Sequence, residues 1–115
     1  MRIVHDPDGE QRTLATTVDT ADSVRQKVVG LMGRSSLPED YALVFPFDDA
    51  SRRVIHTLFV RTPIDVVWLD GDRVVHVKTL SPWTGLGMAS ADTVVEFPAG
   101  TAADVAVGDD IVVEA

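Results

Sequence analysis

Apolar positions alternate with polar ones along most of this chain, with the two-residue period of strands rather than the 3.6-residue period of helices. Arg2–His5 and Arg12–Asp19 read as strands on either side of Asp6-Pro7-Asp8-Gly9. Proline fixes φ there and glycine supplies a positive φ, so the two strands form a hairpin. From Thr20 the period changes. Val24, Val28, Leu31 and Met32 fall at i, i+4, i+7 and i+8, Thr20 serves as N-cap, Asp22 sits in the first turn and Gly33 stops the run. This predicts one amphipathic helix over about 20–32. Gly30 inside it costs about 1 kcal/mol against alanine, which points to a close approach to a neighbouring strand.

After the polar Ser35–Asp40 connection come strands over Tyr41–Phe47, Val54–Val60, Asp65–Asp70 and Arg73–Leu80, the last two joined at Asp70-Gly71, the strongest hairpin signal in the chain. Both alternating sets of Ile64–Leu69 are apolar, the pattern of a central strand buried on both faces. In Arg73–Leu80, Val75 and Val77 share one face, and His76 and Lys78 share a wet one. Ser81–Ala91 reads as a long loop, Thr93–Phe97 as a strand, Thr101–Val105 as a single helical turn capped by Thr101, and Gly108-Asp109 as a turn into a last strand, Ile111–Glu114. No repeat or linker interrupts the pattern, so residues 1–115 are expected to form a single domain. The expected fold is mainly β: an antiparallel sheet of seven to eight short strands curled into a partly open barrel, with the helix over an open end or edge.

Composition adds a chemical bias. The chain has 115 residues and no cysteine, so its core must hold without disulfides or thiolate metal sites. Eighteen acidic and ten basic residues give a net charge of −8, and the acidic set is fourteen Asp to four Glu while the basic set is eight Arg to two Lys. The excess of Asp and scarcity of Lys resemble the proteins of extreme halophiles, whose self-repulsion salt relieves. The same charge excludes nucleic acid as an expected partner: the one adjacent basic pair, Arg52-Arg53, is preceded by Asp48-Asp49, and the four read as a solvated turn. No stretch is apolar and long enough to insert into a membrane, and the first residues carry no apolar signal core, so the expected location is the cytoplasm.

Several motifs occur in order. Gly30-Leu31-Met32-Gly33-Arg34-Ser35-Ser36-Leu37-Pro38 is followed by Ala42-Leu43-Val44-Phe45, then by Pro63-Ile64-Asp65-Val66-Val67-Trp68 with Asp70-Gly71, and then by Val95-Glu96-Phe97-Pro98-Ala99-Gly100 and Gly108-Asp109. Their order and spacing across about residues 13–115 resemble the family called domain of unknown function 192. The resemblance implies a compact, mostly β fold and no established activity, and it assigns structural weight to Gly30, Arg34, Asp65, Gly100 and Gly108. The sequence departs from the family pattern at one place: His56 and Thr57 stand where a Trp-Met pair is common.

Candidate chemistry is sparse. His5, His56 and His76 lie on three different expected strands with no paired spacing, so no metal site and no cofactor are expected. No nucleophile elbow is present, and Gly85-x-Gly87 lacks the strand-to-helix context of a phosphate loop. The Ser81–Ala91 segment is more informative, because Trp83, Leu86 and Met88 on a loop either plug the barrel mouth or form a contact surface. Two readings of function result. One is a non-enzymatic module that binds a small ligand or a partner protein through His56, Arg61, Trp83 and Met88. The other is a hydrolase-type enzyme using Asp65 or His56. Dispersed rather than convergent titratable groups favour the first. An ion pair between Arg34 and Asp65 is also expected, since a carboxylate with apolar strand neighbours needs compensation.

Overall fold

The computed structural model describes residues 1–7, 9–21, 36–57 and 59–114. Eight strands are present: β1 (Arg2–Asp6), β2 (Arg12–Ala15), β3 (Thr17–Thr20), β4 (Tyr41–His56), β5 (Ile64–Asp70), β6 (Arg73–Leu80), β7 (Leu86–Pro98) and β8 (Asp110–Glu114). They form one sheet in the order β2-β1-β8-β6-β5-β7-β4-β3. The sheet is mixed rather than purely antiparallel, because β3 runs parallel to β4. Its two edges, β2 and β3, are consecutive in sequence and separated by Thr16 alone. The expected single strand Arg12–Asp19 is thus broken at Thr16 so that its halves border opposite ends of one sheet. Asp40 pins this joint beside the start of β4. Its carbonyl oxygen accepts the N–H groups of Thr16 and Thr17, and its Oδ2 accepts both of their hydroxyls. Those hydroxyls hold the Asp40 carboxyl below its ordinary value, that of Thr17 most strongly.

No helix occurs among the described residues. Thr20, expected as a helix cap, ends β3, and the rest of the expected helix beyond Ala21 lies outside the described residues, as do Gly30 and Arg34. The expected helical turn near 101–105 is instead a run of successive turns, with the N–H groups of Thr101, Ala103 and Val105 each donating to the carbonyl three residues earlier. Two strands are also longer than expected. β4 runs through Asp48-Asp49 and Arg52-Arg53, which are not a turn, and an irregularity between Pro46 and Ser51 absorbs the mismatch with β7. β7 begins at Leu86, inside the segment expected to be a loop.

The core has two faces. Ile3, Leu14, Ala15, Ala42, Val44, Val67, Leu69, Val74, Val95, Phe97 and Ile111 form the inner one, with Val18 of β3 packed against it, so that both edges and the middle of the sheet contribute, as its curling requires. Tyr41, Leu43, Phe45, Ile64, Val66, Trp68, Leu80 and Val94 form the opposite one. β5, between β6 and β7, is buried on both faces as expected. β6 departs from the expected pattern: Trp68 pairs with His76 and Leu69 with Val74, so Val75 is an extra residue. Val75 and Val77 therefore pack against opposite clusters, and His76 lies 4.9 Å from Trp68, ring centre to ring centre, rather than on a wet face.

Candidate binding surface on the β4–β7 ribbon

Beyond the β4 irregularity, Ser51–His56 pair only with Ala91–Leu86, which makes a two-stranded ribbon. Period-two alternation gives the ribbon two faces. Arg53, Ile55, Gly87 and Ala89 turn inward over Trp68. The Trp68 Nε1–H donates to the Arg53 carbonyl at 3.0 Å, and a Cβ on Gly87 would stand 2.5 Å from the indole ring. Gly87 is therefore a close-approach residue, and Gly85 is another: a Cβ there would meet the Leu80 side chain at 2.6 Å. Arg53 is fixed by Asp49, 2.7 Å away, and by the Phe47 ring, 3.9 Å from its guanidinium carbon.

The outward face carries the pairs Val54↔Met88 and His56↔Leu86. Val54, Leu86 and Met88 are each about half exposed. At the tip, Phe59 and Trp83 meet edge to face with ring centres 5.5 Å apart and are 50% and 47% exposed. Trp83 is thus not the core plug that its loop position allowed. Both aromatics have a φ of +65°, a conformation that bulky L residues rarely adopt.

Thr57, fully buried, holds the tip in this shape. Its hydroxyl donates to the Ser81 carbonyl at 2.6 Å and accepts the Gly85 N–H at 2.7 Å. Its carbonyl takes the N–H groups of Val60 and Trp83, and its own N–H donates to the Gly85 carbonyl. The two connections are therefore laced into one unit, with Thr57 at its centre.

Of the residues predicted to bind a ligand, His56, Arg61, Trp83 and Met88 all stand exposed on or beside this surface. Asp65 lies elsewhere, 2% exposed, on the inner-core side of β5, so it does not converge with His56. Its Oδ1 accepts the Thr79 hydroxyl at 2.7 Å, and its Oδ2 accepts the N–H groups of Gly100 and Ala102, each at 2.9 Å. The motif residues Asp65 and Gly100 thus meet in the fold. Gly100 and Gly108 both sit in turns at a φ of +97°. The expected Arg34–Asp65 pair lies outside the described residues, but the compensation this carboxylate needs is already supplied by backbone N–H groups.

Two titratable groups named from the sequence prove to be buried. Glu96 is 5% exposed on the Trp68 side of β7, between Leu43 and Val66. Burial pushes its carboxyl up to about 8. His5 is buried, with Nε2 2.9 Å from Asp109 Oδ2, which also accepts the Ala106 N–H. The bond from His5, followed by that from Ala106, holds Asp109 below its ordinary value. His5 borders an open cleft of about 610 Å³ with Glu10, Arg12 and Asp104. Arg12 is bound to Asp104 at 2.9 Å, so these two charges of the cleft meet each other. No cluster of three or more metal-ligating side chains is present among the described residues.

Comparison with known proteins is decisive for the family. The DUF192 pattern, described as Uncharacterized ACR, matches residues 4–113. The chain belongs to this family. The UPF0127 protein PH1112 of Pyrococcus horikoshii is 39% identical over 87 residues, spanning 72% of this chain and 73% of that protein. A UPF0127 protein of Pyrococcus abyssi, PYRAB11210, is 36% identical over 87 residues, spanning 72% of each. A crystal structure of a protein of unknown function from Novosphingobium aromaticivorans shares the fold, with a TM-score of 0.87 and 17% identity over 98% of this chain and 84% of that one. The family is uncharacterised. The two Pyrococcus relatives come from thermophilic archaea rather than halophiles, and among the described residues no helix is long and apolar enough to cross a membrane.

Proposed function

We propose that this protein is a non-enzymatic binding module whose recognition surface is the outer face and tip of the β4–β7 ribbon, taking a small ligand or a partner protein. The observation that carries the reading is the Phe59–Trp83 pair: two large aromatic side chains, half exposed, at a shared φ of +65°. Each such conformation costs about 1–3 kcal/mol and persists where surrounding bonds fix it, most often at ligand clamps and active sites. Here the bonds to Thr57 fix both. Rigid aromatic side chains that lose little freedom on contact are the groups from which recognition surfaces draw most of their affinity.

Hydrolysis has less support, because both oxygens of Asp65 are occupied in folding contacts and its side chain faces away from His56. The Asp-rich, Lys-poor composition supports a further part of the proposal, that the protein works in a cytoplasm of high salt. That support is compositional.

Intrinsic fluorescence tests the binding reading, since Trp68 is fully buried and Trp83 is half exposed. In a titration with a panel of peptides and small molecules, a true binder shields Trp83 from acrylamide, and the shielding disappears in Trp83→Phe. A binder that raises the melting temperature without altering the quenching places the site elsewhere. Turnover of a hydrolysable substrate that is lost in both Asp65→Asn and His56→Ala replaces the reading with catalysis.

A further inference from the structure

We infer that the ribbon surface receives an acidic protein partner, an inference that rests on the binding reading above. The basis is a segregation of charge that the totals conceal. Ser51–Pro63 contains Arg52, Arg53 and Arg61 and no Asp or Glu, and Ser81–Ala91 contains no charged residue at all. All eighteen acidic residues lie elsewhere in the sequence, and among the described residues the outward side of the ribbon pairs carries apolar, polar and basic groups and no carboxylate. Lys78 is not part of this face: its stem runs beneath Gly87 on the Trp68 side, and its ammonium donates to the Leu86 carbonyl at 2.7 Å.

The layout matches the anatomy of a docking site. Val54, Leu86, Met88, Phe59 and Trp83 form an apolar centre. Arg52 and Arg61 are exposed and, unlike Arg53, hold no carboxylate among the described residues. Enrichment in Trp, Phe, Met and Arg with depletion of Asp and Glu is the composition of protein interfaces, and a basic rim selects and steers an acidic partner.

Other occupants fit less well. A second copy docked face to face would set one arginine rim against another. A flat anionic bilayer would bring the acidic remainder of the chain close to like charge. Nucleic acid needs several cations free to neutralise phosphates, and Arg53 is already committed to Asp49 and Phe47.

The test places photoreactive benzoylphenylalanine at Leu86 in the full chain, with Val107, exposed in the turn before β8, as the control position. Each version is irradiated in an extract of the cells that make the protein. The expected result is capture of an acidic protein through position 86 and not 107. Once purified, that protein binds the wild-type chain, binds the Arg52→Glu/Arg61→Glu variant at least about tenfold more weakly, and loses affinity as KCl rises. Circular dichroism checks the fold of each variant, and Arg52→Gln/Arg61→Gln serves if charge reversal unfolds the chain. Capture of nothing, or of a basic or neutral protein, overturns the inference, as does affinity indifferent to the arginine changes. In that last case, weaker binding by Trp83→Ala and Leu86→Ser leaves the binding module standing, and unchanged binding removes both. Capture of a second copy overturns the inference in favour of self-association. A blue shift of Trp83 with phosphatidylglycerol vesicles overturns it in favour of a membrane surface.

Discussion

Asp65 and Ala102, thirty-seven residues apart, are joined by a 2.9 Å bond from the Ala102 N–H to the Asp65 Oδ2, the same oxygen that takes the N–H of Gly100. One buried carboxylate thereby fastens the turns after β7 onto the central strand. Asp65→Ala leaves these donors and the Thr79 hydroxyl without their acceptor, and the expected loss is about 3 kcal/mol or more in urea denaturation. Asp65→Asn is expected to cost about 1 kcal/mol, because an amide oxygen can face the two N–H groups while its NH₂ donates to Thr79.

Gly87→Ala tests the contact beneath the ribbon. With an added Cβ only 2.5 Å from the Trp68 ring, the indole or the strand must move. The expected cost is about 1–3 kcal/mol, together with an altered near-ultraviolet circular dichroism signal from Trp68. A wild-type spectrum and stability would show that the ribbon does not rest on the indole.

Trp83→Ala separates an exposed aromatic from a core plug. With its side chain half in solvent, truncation is expected to cost under about 1 kcal/mol, alanine keeping the Cβ and with it the strain at positive φ. A loss of ~3 kcal/mol or more in a denaturant titration would place the indole in the core.

The pH dependence has two limbs of opposite origin. Glu96, with its carboxyl raised from an ordinary 4.5 to about 8, binds its proton more tightly folded than unfolded. The Glu96 contribution is therefore full below about 4.5 and declines as pH rises toward 8, by several kcal/mol, since each pH unit between the two values is worth about 1.4 kcal/mol. Glu96→Gln is expected to flatten this limb. Asp109, Asp49 and Asp40 are shifted the other way. Their contributions are present above the unfolded value of 3.8 and vanish as pH falls through the lower folded values. Urea midpoints across the pH range, for wild type and Glu96→Gln, check both limbs.

Salt gives a further expected outcome. If the net charge of −8 strains the folded chain by self-repulsion, the melting temperature rises from low salt into molar KCl as the screening length contracts. A flat profile would remove the high-salt reading.

Local rules made much of this fold legible. β1, β5, β6 and β8 announce themselves by alternation and by turn glycines such as Gly71, and β5 carries its central position in its two apolar faces. What stayed hidden depends on residues distant in sequence. Asp48-Asp49 resembles a turn because the continuation of the strand rests on the pairing of Ser51–His56 with Leu86–Ala91, which is distant in sequence. Gly85 and Gly87 resemble a flexible loop because their reasons, Leu80 and Trp68, come from other strands. The parallel β3–β4 ladder depends on Asp40 gathering Thr16 and Thr17, a contact with no spacing signature. At the candidate surface, Trp83 and Met88 were visible by type, whereas Phe59 and the lacing role of Thr57 were not, since no propensity places a phenylalanine at positive φ.

The place of β8 has a consequence for how the chain comes into being. β8 lies between β1 and β6, with Arg2 opposite Glu114, so the first strand of this domain to leave the ribosome waits for the last. Until Asp110–Glu114 emerges, β1–β2 is a lone hairpin, and such hairpins are marginal in water. Completion of the sheet therefore waits until β8 has been made, although β4, β5, β6 and β7 can pair before it. A truncation that removes β8 does not trim a border: it uncovers ladder positions on β1 and β6 at once and leaves the hairpin tied to the other strands through the Thr16 joint and the inner core.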